Sequence, residues 1–202
     1  MYLQTRSGTV WIIKIGGSLA THPALASWLA RLATDSERRW LLVPGGGPYA
    51  DAVRAVDAHW KLPTRDAHRL AIHAMGLYAR QLQALEPRLP LLTTRMGVLA
   101  APASAIWLPH PDLLPGLPEG WDVTADSIAL WLAQQWSAEG LVLLKAAPRP
   151  AVASLKALAA ADCIDAEFPH LHAQAPELPV YWAGGGEGSG ALQDWLDLPR
   201  LA

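Results

Sequence analysis

The sequence predicts an α/β domain built around a mostly parallel sheet. Short, nearly continuous apolar runs alternate with segments of helical period, as expected when strands are covered on both faces by helices. Several of these runs end in glycine-rich turns, the usual place for a ligand in an open parallel sheet. At 202 residues and 51% hydrophobic composition, the chain is long and apolar enough for one domain with a sizeable core.

The run Val10-Trp11-Ile12-Ile13-Lys14-Ile15 is rich in β-branched and aromatic residues and is expected to be a strand. A helix is expected over 23–32, where Leu25, Trp28, Leu29 and Leu32 recur at three- and four-residue spacing. Trp40-Leu41-Leu42-Val43 forms the next strand, and a helix over 49–59 carries Ala52, Val53 and Val56 on one face. The longest helical pattern covers 64–85, with Asp66 as a first-turn carboxylate. Short strands are expected over 89–92 and 104–108. Residues 108–121 carry Pro109, Pro111, Pro115 and Pro118 and are expected to be irregular. A helix over 124–137, a strand over 141–144 and a last strand over 178–183 complete the order, the last ending in Gly184-Gly185-Gly186.

Composition removes several function classes. Lys and Arg number 16 against 18 Asp and Glu, a net charge of −2, which lacks the basic surplus of a nucleic-acid binder. The single cysteine, Cys163, excludes an intrachain disulfide framework and a cysteine-cluster metal site. No targeting pattern or membrane-length apolar run is visible, so a soluble, cytoplasmic protein with no membrane partner is expected. His68 and His73 are five apart and do not make a helical metal pair. Ten Trp against one Phe are read as packing residues.

Three segments carry the chemistry. Lys14-Ile15-Gly16-Gly17-Ser18 joins a strand to a helical region, where glycine N–H groups, a helix start and a lysine favour an anion; a plain tight turn is the alternative. It is neither a P-loop nor Gly-x-Gly-x-x-Gly. Gly45-Gly46-Gly47-Pro48 sits at a second strand-to-helix junction, and its entropy cost implies close approach to a ligand or a strained turn. Asp122-Val123-Thr124-Ala125-Asp126-Ser127 opens a helix, where Asp126 is either a helix-start carboxylate or part of a site.

Taken in this order, the three segments resemble the amino acid kinase family over residues 10–145, together with the last strand. The resemblance implies a three-layer α/β/α sandwich, a single domain over 1–202 with an acceptor half at about 1–120 and a shortened nucleotide half at about 121–202. It implies transfer of the γ-phosphoryl of ATP, with Mg²⁺ carried by the nucleotide and no metal bound by the protein. Lys14 would stabilise the transferring phosphoryl group, and Asp126 would orient the catalytic lysines. Gly16, Gly17 and Ser18 would cradle nucleotide phosphates. Gly45, Gly46 and Gly47, with Thr124, would bind the acceptor. Phosphoryl transfer calls for such positioning and charge neutralisation more than for a strong base.

The sequence also departs from that pattern. Many members follow the 141–144 strand with an acidic turn, whereas here the chain reads Lys145-Ala146-Ala147-Pro148-Arg149-Pro150. Lys145 is either a replacement cation beside the phosphates or a surface lysine. The strand ending in Leu-Lys and the later Ile164-Asp165-Ala166-Glu167-Phe168-Pro169 resemble a short branch containing the aminomethylfuranylmethyl phosphate kinase of methanofuran biosynthesis. Asp165 would then touch a substrate ammonium, or else cap a helix. The branch implies conversion of a small phosphomonoester to a diphosphate. Two alternatives stay open: a kinase for isopentenyl phosphate, uridylate or an amino acid, and a non-catalytic binding or storage relative. The family also implies a homo-oligomer assembled through its flanking helices.

Overall fold

A computed structural model describes residues 10–148, 151, 154–184 and 200–201. Among these residues six strands form one parallel sheet: β1 (Trp11–Ile15), β2 (Trp40–Pro44), β3 (Leu91–Leu92), β4 (Ala105–Trp107), β5 (Gly140–Lys145) and β6 (Val180–Gly184). Their spatial order is β3-β4-β2-β1-β5-β6. From β1 the chain winds first toward β2 and the β3–β4 edge, then returns to place β5 and β6 on the other side. The winding reverses at β1, so a crevice opens at the carboxyl ends of β1, β2 and β5.

The helices are α1 (Leu25–Thr34), α2 (Gly47–Trp60), α3 (Thr64–Leu85), α4 (Arg95–Ala100), α5 (Ala125–Gln135), α6 (Leu155–Ala160) and α7 (Phe168–His172). Strand side chains alternate between two apolar clusters, which makes the three layers. Ile12, Leu41, Val43, Leu141 and Leu143 pack on the side of α5, α6 and α7. Ile13, Ile15, Leu42, Val142 and Leu144 pack on the side of α1. The long helix α3 serves both: Ile72 and Met75 join the first cluster, and Tyr78, Ala79 and Leu82 the second.

The expected order of strands and long helices is present, with boundaries moved by a few residues. The proline-rich stretch is more regular than expected, because Pro111–Leu113 forms a 3-10 turn. Its proline stands at the first position, where the missing N–H costs nothing. The short helices α4 and α6 were not apparent from periodicity, yet each has a hydroxyl cap. Thr94 accepts from the Gly97 N–H at 3.1 Å and Ser154 from the Ala157 N–H at 3.2 Å. Helix α7 lies directly after the Asp165 segment. Gly185 and Gly186 of the last glycine turn, Arg149 and Pro150 after β5, and the N-terminal residues before Val10 lie outside the described residues. Among the described residues no helix is long and apolar enough to cross a membrane.

Candidate active site

Strand parity explains why the two lysines meet. Lys14 shares a face with Ile12 on β1, and Lys145 shares one with Leu141 and Leu143 on β5; both therefore point toward α5. Asp126 stands in the first turn of that helix, where the N-terminal dipole favours a carboxylate. Its Oδ1 lies 2.9 Å from the Lys14 Nζ, and its Oδ2 accepts from the Lys145 Nζ at 2.6 Å. The Lys145 ammonium also donates to the Cys163 carbonyl at 2.8 Å and stands 5.4 Å from the centre of the Trp182 ring.

All three side chains are largely out of water: Lys14 is 6% and Asp126 4% exposed, and the Lys145 side chain 14%. Burial alone would push the Asp126 carboxyl up, but the attraction of Lys14 and Lys145 outweighs it and holds the group below its ordinary range. Burial first, and repulsion from Lys14 second, bring Lys145 down to about 8 against the pull of Asp126. One carboxylate thus serves two cations. The Lys14 ammonium pairs with Oδ1 by charge and also borders open space where an anion could meet it.

In front of it is a cavity of about 490 Å³. Lys14, Gly17, Ser18, Gly45, Gly46 and Gly47 line one part, and Thr124 lies on the α5 side. Glycine is required because the two loops touch: a Cβ at Gly17 would stand 2.5 Å from the Gly47 nitrogen. Gly47 itself has φ +54°, in the left-handed region. The first-turn N–H groups of α2 have no intrahelical carbonyl to bond, so they can serve an oxyanion. Beneath the loops the buried Tyr78 hydroxyl donates to the Gly16 carbonyl at 3.4 Å.

Two site expectations need correction, and of the two alternatives for Asp165 the structure has the helix cap. Gly16 does not line the cavity; its N–H continues the ladder to the Leu144 carbonyl at 2.8 Å, and a Cβ there would press on that oxygen. Lys145 is neither on the surface nor in the cavity wall, but behind it on Asp126. Asp165 does not face the cavity, because its carboxylate is used up as a cap. Its Oδ2 accepts from the Thr124 N–H at 2.9 Å, the Thr124 hydroxyl at 3.0 Å and the Ser127 N–H at 3.0 Å. Its Oδ1 accepts from the Ser127 hydroxyl. Burial, then the Asp126 charge, push its carboxyl up, opposed by the Ser127 and Thr124 hydrogen bonds. The cap that Thr124 does not make for α5 is thus supplied by a residue far along the chain, and it fixes the turn bearing Asp126.

Sequence reasoning missed the outer wall. Asp51, Arg54, His68, Ile72, Met75 and Trp121 all line the cavity. Asp51 and Arg54 could have been found by extending the glycine motif at helical spacing, four and seven residues beyond Gly47. Trp121 carries no such signal.

No protein-family model matches the chain. In sequence it is 31% identical over 130 residues to the (5-(aminomethyl)furan-3-yl)methyl phosphate kinase of Methanocaldococcus jannaschii. The matched stretch covers 61% of this chain and 59% of that enzyme. In structure it is similar to UMP kinase from Bacillus anthracis, with a TM-score of 0.68 at 14% identity over 96% of this chain and 93% of the other. It is also similar to aspartate kinase from Synechocystis, with a TM-score of 0.71 at 12% identity over 96% of this chain and 40% of the other. The relative in sequence is the phosphate kinase whose branch the motifs resemble, and the two solved structures show a shared fold.

Proposed function

We propose that this protein is an ATP-dependent kinase that converts a small phosphomonoester to a diphosphate, with aminomethylfuranylmethyl phosphate as its acceptor. The observation that carries this reading is the Lys14–Asp126–Lys145 group, two cations sharing one carboxylate behind a glycine-lined cavity, with the Asp165 charge also acting on Lys145. Buried ammonium groups that share a carboxylate gain from a further anion, and an arriving phosphate supplies it.

In the proposed step an oxygen of the acceptor phosphate attacks the γ-phosphorus of ATP. The bond from that phosphorus to the β–γ bridging oxygen breaks, ADP leaves, and a new P–O–P linkage forms. The attacking oxygen is already deprotonated, so no general base is needed. Lys14 neutralises the transferring group, Gly17 and Ser18 hold nucleotide phosphate, and Gly45, Gly46, Gly47 and Thr124 hold the acceptor. Lys145 sustains the local field through Asp126, and Asp165 positions that carboxylate. Asp126 is committed to two lysines, and Mg²⁺ would enter on the nucleotide.

On this reading the acceptor half, at about 1–120, and the nucleotide half, at about 121–202, would share the cavity, whose lining comes from residues 14–75 and 121–128. A cytoplasmic setting fits a protein that uses ATP. A homo-oligomer fits the exposed Val56, Trp60, Leu70 and Leu77 on α2 and α3; light scattering at micromolar concentration should exceed the 21.7 kDa of one chain.

The function is tested by incubating the protein with ATP, Mg²⁺ and, separately, aminomethylfuranylmethyl phosphate, isopentenyl phosphate and uridylate. ADP release with the first is expected. No ADP release with any acceptor, together with no ATP binding by calorimetry, would overturn the kinase reading and favour a non-catalytic relative.

A further inference from the structure

The outer wall of the cavity contains a cation site that the chain fills with its own side chain. The Arg54 guanidinium stands 4.8 Å from the centre of the Trp121 ring, and its Nη1 donates to the Asp51 Oδ1 at 3.0 Å. An aromatic face and a carboxylate together are what an ammonium ion selects. The ring is held in place: the Trp121 indole N–H donates to the Asp57 Oδ2 at 2.8 Å, and the Asp57 Oδ1 accepts from the Leu62 N–H at 3.1 Å beyond the end of α2. Arg54 itself is half exposed, at 51% of its side chain, so it can swing into water when another cation takes its place.

Charge divides the cavity. Its lining holds two cations, Lys14 and Arg54, and one carboxylate, Asp51. Asp51 lies four residues along α2 from Gly47, about 6 Å at the helical rise. That separation is about the length of one small ring between an oxyanion at the glycines and a cation at Asp51.

We propose that Asp51 and Trp121 form the recognition site for an ammonium group on the acceptor, displacing Arg54, so that the preferred acceptor is a phosphomonoester with an amine one ring away. The proposal rests on the kinase reading above and adds the residues that choose the acceptor.

The test compares kcat/KM for aminomethylfuranylmethyl phosphate with that for its neutral hydroxymethyl counterpart. The native protein should prefer the amine by about 10-fold, the scale of a partly solvated charged hydrogen bond. Asp51→Asn should bring the ratio toward one, mainly through the KM of the amine, while KM for ATP stays unchanged. Raised salt should narrow the native ratio. Trp121→Leu should reduce the same preference by removing the aromatic face, which a role of Asp51 limited to Arg54 would not do. Turnover of both acceptors at equal kcat/KM, or a ratio unmoved by Asp51→Asn and Trp121→Leu, would overturn this inference and leave the kinase reading standing. No turnover of any acceptor by the native protein would remove both.

Discussion

Two carboxylate–cation groups border the same cavity and differ in almost everything except their chemistry. Asp126 is buried between Lys14 and Lys145, carries more positive charge than it can neutralise, and sits on a helix turn fixed by Asp165. Asp51 pairs with Arg54 at 3.0 Å in the open, the two side chains 73% and 51% exposed. A pair in water is screened and contributes little to stability. A buried charged group is costly to keep and an exposed pair is not, and the proposed roles follow that division, with phosphoryl transfer at the buried group and acceptor recognition at Asp51.

That contrast is tested first where the effect is largest. Lys14→Ala should lower turnover by at least ~10²-fold, the scale of losing one transition-state charge stabiliser, and change ATP affinity much less. Steady-state kinetics with ATP calorimetry reads both; an unchanged kcat would remove Lys14 from catalysis.

Asp126→Ala leaves two buried ammonium groups without their carboxylate and should destabilise the fold by about 3–5 kcal/mol, with loss of turnover. Chemical denaturation measures this, and a loss below about 1 kcal/mol would show that the group is not buried as described. Asp165→Ala removes the remote cap of α5 and should cost about 1–2 kcal/mol. It should also lower kcat more than it raises KM for ATP, because Asp126 loses its fixed turn. Asp51→Ala, on the exposed side of the comparison, should change unfolding free energy by less than about 1 kcal/mol. A larger loss would erase the distinction between the two groups.

The difference between the regions also explains what the sequence could reveal. Strand order, the long helices and the two glycine loops were legible because apolar runs and glycines follow from backbone geometry alone. Lys14 and Asp126 were legible because they stand inside those loops or at a helix start. The role of Lys145 was not, because it depends on the register that sets β5 beside β1 and on the shared facing of Lys14 and Lys145. Which helix Asp165 caps is not legible for a related reason: its partners, Thr124 and Ser127, lie 41 and 38 residues away in the chain. Trp121, at the end of a proline-rich stretch, is placed by partners on another element, Asp57 at its indole N–H and Arg54 over its ring.

If the Lys14–Asp126–Lys145 group stands ready for phosphate, ligand binding must move protons. Lys145 sits at about 8, so near pH 8 about half of it is neutral. A bound phosphate favours the charged form and raises that value, so binding must take up a proton. Calorimetry of Mg-ATP binding in buffers of different ionisation enthalpy should show uptake approaching about half a proton at pH 8, little at pH 6.5, and none at pH 8 in Lys145→Met. No proton uptake at pH 8 in the native protein, with ATP bound, would contradict the account.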